Sequence, residues 1–148
     1  MVVLVTASPV LAGAKNFVKE VRRRCPKVST IIQNINPRAT SAVLGYQEKI
    51  LCGRGYIEDE LCGVRFQIAA SSFYQVNPKQ TEVLYQTAIS AAKLDGSQSV
   101  LDAYCGVGTI GLTVAGKARS VLGVELNKKA VQCALENARK NGIKNARF

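Results

Sequence analysis

The sequence predicts an α/β fold in which residues 71–148 form the first half of a doubly wound parallel sheet and residues 1–70 form a smaller α+β region. The first observation is that strand-length apolar runs alternate with helix-length segments from Ser99 onward, as in parallel β-α-β units. The second is a glycine-rich turn between the first of these strands and the helix that follows it. The third is a front half of short β-branched runs separated by glycines, which indicates antiparallel pairing.

The front half is predicted to contain one helix among several short strands. The helix covers Asn16–Arg24 and ends at Cys25-Pro26, because proline cannot continue it. The strands are predicted from β-branched and apolar runs bounded by glycine, and they cover Val2–Thr6, Val28–Asn34, Ala42–Tyr46, Lys49–Cys52 and Val64–Ala69.

The second half begins with a polar and aromatic connector over residues 71–77. Pro78 then opens a helix that runs to about Lys93, with Val83, Leu84, Ala88 and Ala91 expected as its buried stripe. The alternating pattern that follows predicts a strand, a helix, a strand, a helix and the start of a third strand, over Ser99–Ala103, Thr109–Lys117, Ser120–Glu125, Lys128–Asn141 and Ala146–Phe148.

The three strands of this pattern are fewer than a parallel sheet with helices on both faces normally has. We therefore expect the chain to be a fragment of a larger domain. Unshielded sheet edges would permit edge-to-edge dimerisation, and the sequence leaves the oligomeric state open.

The charge balance favours a polyanionic partner. Twenty Lys and Arg residues against ten acidic residues give a net charge of +10, which suits RNA or DNA. The run Arg22-Arg23-Arg24 with Lys27 is a candidate phosphate track. The alternatives are that the excess charge serves solubility and that the arginine run is a solvated helix face.

Several classes of protein are disfavoured by composition. The chain has no histidine, which excludes histidine general bases and Ser-His or Cys-His pairs. Five cysteines without a Cys-x-x-Cys pair support neither a metal site nor an iron–sulfur cluster, and they are expected to be reduced. No apolar run reaches membrane-spanning length and no secretory leader is recognisable, so no membrane partner and a cytoplasmic location are expected.

The glycine turn predicts a pocket for a nucleotide-containing cofactor. Gly106 and Gly108 allow a sharp turn and a close backbone approach to a ligand, and the next helix starts near Thr109. Asp102 lies at the end of the first strand and Glu125 at the end of the second, where an acid can accept hydrogen bonds from ribose hydroxyls. The formal Gly-x-Gly-x-x-Gly pattern also fits a nicotinamide or flavin site, and a tight turn without any ligand remains an alternative.

Four motifs in this order resemble those of the S-adenosylmethionine-dependent RNA (uracil-5-)-methyltransferases, most closely the bacterial 23S ribosomal RNA branch. They are Ser-Phe-Tyr-Gln-Val-Asn at 72–77, Asp-Ala-Tyr-Cys-Gly-Val-Gly-Thr at 102–109, Gly-Val-Glu at 123–125 and Asn-Ala-Arg-Lys-Asn-Gly at 137–142. The resemblance implies a Rossmann-like methyltransferase fold, S-adenosylmethionine as cofactor and RNA, with ribosomal RNA preferred over tRNA, as partner. It further implies that Gln75, Tyr104 and Glu125 contact the cofactor.

The same resemblance implies a reaction in which a cysteine adds to carbon 6 of uridine and carbon 5 then takes the methyl group. The segments that carry the family's cysteine and its glutamate base lie beyond residue 148, as does its Asp-Pro-Pro-Arg type segment. No catalytic residue is therefore assigned here, and the chain alone is expected to be inactive. The family's N-terminal RNA-binding barrel and iron–sulfur cysteine cluster are also missing from these 148 residues. Cys105 is expected to be a packing residue of the turn rather than the nucleophile.

Other interpretations stay open at this point. Gln75 could be a contact at the start of a helix and Tyr104 a core aromatic. The whole chain could instead be part of a nicotinamide-dependent oxidoreductase, or a non-catalytic RNA-binding fragment.

Overall fold

The computed structural model describes residues 1–39 and 41–148, which form two compact units, Met1–Ile57 and Glu58–Phe148. Neither described stretch contains a helix that is both long and apolar enough to cross a bilayer. The two units are described in turn.

The first unit is a three-stranded sheet with one helix, made of β1 (Val2–Thr6), α1 (Ala14–Arg24), β2 (Ile31–Ile35) and β3 (Gln47–Cys52). The strand order is β1-β2-β3, with β2 in the centre. β1 and β2 are parallel, while β2 and β3 are antiparallel. The expectation of antiparallel pairing is therefore wrong for β1 and β2, because α1 is a crossover that returns the chain to the end of the sheet where β1 began.

The strand predicted over Ala42–Tyr46 is absent, and that stretch is irregular. Side-chain amides form hydrogen bonds with its backbone groups. Asn36 Nδ2 donates to the carbonyl oxygen of Ala42 at 2.7 Å, and Asn34 Oδ1 accepts from Gly45 N at 2.6 Å. These bonds replace the ladder that a strand would need. The next strand starts at Gln47, two residues earlier than predicted.

The second unit contains the remaining elements, and the boundary between the units falls within its first strand. They are β4 (Tyr56–Leu61), β5 (Val64–Ala69), α2 (Pro78–Ala91), β6 (Ser99–Ala103), α3 (Thr109–Val114), a 3₁₀ turn (Ala115–Lys117), β7 (Ser120–Val124), α4 (Lys128–Lys140) and β8 (Ala146–Arg147). β4 and β5 form a two-stranded sheet. β4 was not expected as a strand, because the acidic run at 58–60 has low β-propensity.

The predicted alternation of strands and helices is confirmed from Ser99 onward. β6, β7 and β8 form a parallel sheet in which Asp102 lies beside Gly123 and Ala103 beside Val124. Val114, Ala115, Ala118 and Val121 form a core cluster between the sheet and the segment after α3. Side chains on the opposite face, including Leu101 and Leu122, are exposed.

The buried face of α2 differs from the predicted stripe. Val83 and Leu84 are exposed, whereas Thr81 and Tyr85 are buried. Both inner positions are polar residues whose hydroxyls are bonded, Thr81 to the carbonyl oxygen of Asn77 and Tyr85 to Thr109. A pattern of apolar residues alone therefore points to the wrong face of this helix.

Candidate cofactor site

The glycine turn joins β6 to α3 in a conformation that few residues adopt. Gly106 has φ of 56° and Gly108 has φ of 83°, both left-handed. Tyr104 is also left-handed at 61°, which is unfavourable for a residue with a bulky side chain. A backbone of this kind persists only where its surroundings fix it, and the carboxylate of Glu125 is one of the groups that do so here.

Glu125 lies one residue beyond β7 and binds the turn directly. Its Oε2 atom accepts a hydrogen bond from Gly106 N at 3.0 Å, and its Oε1 atom accepts one from Asn127 N at 2.8 Å. An ionised carboxylate has about four acceptor positions. The half-buried Glu125 therefore holds the turn and retains capacity for further donors.

Asp102 has a different role from Glu125. It is 7% exposed, and its Oδ2 atom accepts from Gly111 N in α3 at 2.8 Å. Gly111 permits this approach, because a Cβ atom there would lie 2.9 Å from Oδ2 of Asp102. Burial raises the pKa of Asp102, and the Gly111 hydrogen bond partly opposes that effect. The carboxylate is thus directed at the helix that follows the turn.

Thr109, the first residue of α3, contacts a side chain of α2. Its hydroxyl lies 2.9 Å from the hydroxyl of Tyr85. Burial raises the pKa of Tyr85, so its phenol stays protonated at neutral pH. This pair ties the start of α3 to α2.

The connector before α2 reaches the same turn. Tyr74 packs against the cluster that contains Val107 of the turn, and its ring centroid lies 6.4 Å from that of Phe66. Gln75 follows Tyr74 and is half-buried. The connector therefore contacts the glycine turn through Tyr74, and Gln75 is the next residue along the chain.

Two large side chains flank this region and are almost fully exposed, Tyr104 at 93% and Leu126 at 95%. The interpretation of Tyr104 as a core aromatic is wrong. Leu126 was not singled out from the sequence, although an apolar residue directly after a strand-end acid was a usable signal.

Cys105 is buried in the turn, and burial raises the pKa of its thiol to about 11. It is therefore protonated at neutral pH and a poor nucleophile. Across residues 1–39 and 41–148, no group of three or more Cys, Asp or Glu side chains is arranged to hold a metal ion.

The arginine run lies in the last turn of α1, in the first unit. Arg23 and Arg24 both pair with Glu20, at 2.6 and 2.5 Å. These are exposed i,i+3 and i,i+4 pairs, as expected of a solvated helix face.

Comparison with known proteins identifies the family. Residues 27–148 match the family model described as tRNA (uracil-5-)-methyltransferase. The whole chain is 45% identical to an uncharacterised RNA methyltransferase of Halalkalibacterium halodurans and 48% identical to one of Lactiplantibacillus plantarum, and it spans 32% of the length of each. The chain thus spans about a third of these curated relatives.

A solved structure extends the comparison to three dimensions. The Pyrococcus abyssi tRNA (uracil-54, C5)-methyltransferase in complex with S-adenosyl-L-homocysteine aligns with 97% of this chain and 34% of its own, with a TM-score of 0.76 and 25% identity. The α/β fold class of a Rossmann-like methyltransferase, predicted from the sequence, is confirmed, as is the family resemblance carried by the four motifs. The chain belongs to the tRNA (uracil-5-)-methyltransferase family.

Proposed function

We propose that this chain binds S-adenosylmethionine at the glycine turn and serves an enzyme that methylates carbon 5 of uridine in RNA. The observation that carries the proposal is the bond between the Glu125 carboxylate and Gly106 N. It places the acid of the second strand at the turn of the first, which is the arrangement that nucleotide-cofactor pockets on parallel sheets use. The cofactor supplies an activated methyl group on its sulfonium.

Glu125 is proposed to accept hydrogen bonds from the ribose hydroxyls. Two backbone amides already occupy part of its acceptor capacity and fix its orientation. A carboxylate held in this way loses little freedom when a diol binds.

The remaining contacts are proposed from position and chemistry. Tyr104, two residues before Gly106, and Leu126, directly after Glu125, offer exposed apolar surface, which suits the adenine and methionine portions. Gln75 offers an amide that both donates and accepts. Asp102, Gly108 and Thr109 complete the proposed site by shaping the turn and the start of α3.

The experiment is a calorimetric titration of the 148-residue chain with S-adenosylhomocysteine. Saturable binding is expected, and Glu125→Gln should weaken it about ten- to a hundredfold, since a hydrogen bond to a charged group contributes about 1.5–3 kcal/mol. The matched control is Glu60→Gln, an exposed acid on β4, which should bind like the parent. Binding by the parent that Glu125→Gln leaves unchanged would refute the assignment, and binding of NADH in place of S-adenosylhomocysteine would favour an oxidoreductase.

The RNA partner is proposed from the family and from the net charge of +10. The four motifs favour 23S ribosomal RNA, while the family model and the Pyrococcus abyssi relative are both named as tRNA methyltransferases. Filter retention of 23S ribosomal RNA segments and of tRNA transcripts at increasing salt concentration distinguishes these two candidate RNA partners. Retention should fall steeply with salt, and preferential retention of tRNA would overturn the ribosomal assignment.

We further propose that residues 71–148 hold the cofactor, as predicted from the sequence. The compact unit that contains them begins earlier, at Glu58, and includes most of β4 and all of β5 from the predicted region 1–70. By the family resemblance, the nucleophile and the base are proposed to lie outside residues 1–148. Cys105 is not proposed as the nucleophile, because it is buried and its pKa is raised to about 11.

A further inference from the structure

Asn137 of α4 is a polar residue in an apolar environment. It is 0% exposed, and the helix buries Ala130, Cys133, Ala134 and Ala138 around it. Its carboxamide is fully engaged: Oδ1 accepts from Gln67 N at 2.6 Å, while Nδ2 donates to the carbonyl oxygens of Gln67 at 3.3 Å and Val107 at 3.1 Å. These hydrogen bonds offset the desolvation cost of burying the carboxamide.

Asn141, one helical turn later, makes the same bonds to the same strand. Its Oδ1 atom accepts from Arg65 N at 3.0 Å, and its Nδ2 atom donates to the carbonyl oxygen of Arg65 at 2.7 Å. Arg65 and Gln67 are two residues apart on β5, so both expose their backbone groups along one edge. The two asparagines therefore bind the edge of β5 as a neighbouring strand would.

The two asparagines differ in their third hydrogen bond. That of Asn141 stays within α4, going to the carbonyl oxygen of Asn137 at 2.7 Å. That of Asn137 goes to Val107, which is buried between Gly106 and Gly108 in the turn. Asn137 thus connects α4 and β5 to the segment proposed to cradle the cofactor.

This contact fixes the orientation of one peptide group. The carbonyl of Val107 and the N–H of Gly108 belong to the same peptide plane, whose N–H donates to the carbonyl oxygen of Cys105 at 2.8 Å. Glu125 fixes the N–H of Gly106 from another element. With both bonds in place, neither peptide group can rotate without losing a hydrogen-bond partner.

We propose that Asn137 is a positioning residue for the cofactor pocket, holding the glycine turn in its binding conformation before the cofactor arrives. The inference rests on the proposed function. A turn that is already ordered binds without first having to reorganise, so loss of the Asn137 contact should reduce affinity although Asn137 does not touch the ligand.

The experiment compares Asn137→Asp with Asn141→Asp. Each substitution conserves shape and the oxygen that accepts from β5, and each removes the Nδ2 donor. Only the first removes the bond to Val107. Where Asn137→Asp fails to fold, judged by circular dichroism, the pair Asn137→Ser and Asn141→Ser replaces it.

The first measurement is hydrogen exchange of the ligand-free chain. Exchange at Gly106 and Gly108 should rise about tenfold or more in Asn137→Asp, because an unmade buried bond raises local opening. In Asn141→Asp, which keeps the oxygen that accepts from Arg65 N, exchange in the turn should stay unchanged. Equal acceleration of the turn in both variants would mean a general loss of packing and would overturn the proposal.

The second measurement is titration with S-adenosylhomocysteine, corrected for the folded fraction. The expected result is about tenfold or more weaker binding for Asn137→Asp and unchanged binding for Asn141→Asp. Parental affinity in Asn137→Asp would overturn the proposal. If the parent chain binds no S-adenosylhomocysteine, the proposed function fails separately, and the exchange data alone decide whether Asn137 holds the turn.

Discussion

The two units of this chain each contain a parallel β-α-β segment, and only one of them builds a candidate site. β1, α1 and β2 in the first unit match β6, α3 and β7 in the second in strand direction. In each, a left-handed glycine precedes the helix, Gly13 with φ of 75° and Gly108 with φ of 83°. Topology and a glycine before the helix are therefore not sufficient for a cofactor pocket.

The segments differ in what the helix and the strand ends contact. No residue of α1 is buried, whereas α3 buries Gly111, Leu112 and Val114. At the end of β1 the neutral hydroxyl of Thr6 accepts from Gln33 at 2.9 Å. In the second unit, Asp102 and Glu125 instead accept from backbone amides of the turn and helix. A close helix and two strand-end acids distinguish the candidate site.

The largest expected effect comes from truncating a buried side chain of α3. Leu112 is 1% exposed, so Leu112→Ala should destabilise the second unit by about 2–5 kcal/mol through lost burial and a cavity. Hydrogen exchange at amides of β6 and β7 reports the stability of that unit directly.

The counterpart in the first unit is Phe17→Ala. Phe17 is the aromatic residue of α1 and is 37% exposed, so the substitution should lower protection of β1 and β2 by less than about 2 kcal/mol. An equal or larger loss for Phe17→Ala would show that α1 is packed as firmly as α3, and the contrast between the units would be lost.

A smaller effect is expected from adding a methyl group to each glycine. Both Gly13→Ala and Gly108→Ala place a side chain in the left-handed region, at a cost of about 1–2 kcal/mol. At Gly13 the new Cβ meets nothing within 4 Å, whereas at Gly108 it would lie 3.1 Å from the Phe148 ring and 3.2 Å from Leu112. We expect Gly108→Ala to exceed Gly13→Ala by about 1 kcal/mol or more.

The readout again is exchange in each unit, with S-adenosylhomocysteine titration beside it. Gly13→Ala should leave binding unchanged, and Gly108→Ala should weaken it. Identical destabilisation with identical binding would mean that the second turn is no more constrained than the first.

Sequence reasoning succeeded where one local signal decides the structure. The strand that starts at Ser99, the turn at Gly106 and Gly108 and the helix that starts at Lys128 all follow from residues close in the chain. The parallel pairing of β1 with β2 was missed because it depends on the path of α1, which no local pattern records.

The contacts within the candidate site were less predictable than its location. Asp102 was expected at the ligand, yet its partner is Gly111 in the next helix, and nothing local to Asp102 distinguishes the two. Asn137 was noted only as part of a motif. Its bonds to Gln67 and Val107 join residues 70 and 30 positions away, so only the folded chain brings them together.

The smallest expected effect is a pH dependence of stability that distinguishes Asp102, at the end of β6, from Thr6, at the end of β1. Burial, the largest influence, raises the pKa of Asp102 above its ordinary value of 3.8. A raised folded pKa means that the contribution of Asp102 to stability is fully present below the unfolded pKa. It is lost as pH rises through the folded pKa, because the ionised form is then buried. The substitution Asp102→Asn would keep an oxygen for Gly111 N and would remove the titrating group.

The stability of Asp102→Asn relative to the parent should therefore increase as pH rises from about 3.5 to neutrality and then become constant. Thr6→Ser is the control at the other strand end, since a hydroxyl does not titrate in this range and its difference from the parent should stay flat. Amide hydrogen exchange in each unit across this pH range, corrected for the intrinsic exchange rate, measures the stability difference of each variant from the parent. A difference for Asp102→Asn that falls with rising pH would mean that the Gly111 hydrogen bond outweighs burial. The carboxylate would then stabilise the second unit as an anion, in the same way that Glu125 is held by two amides at the turn.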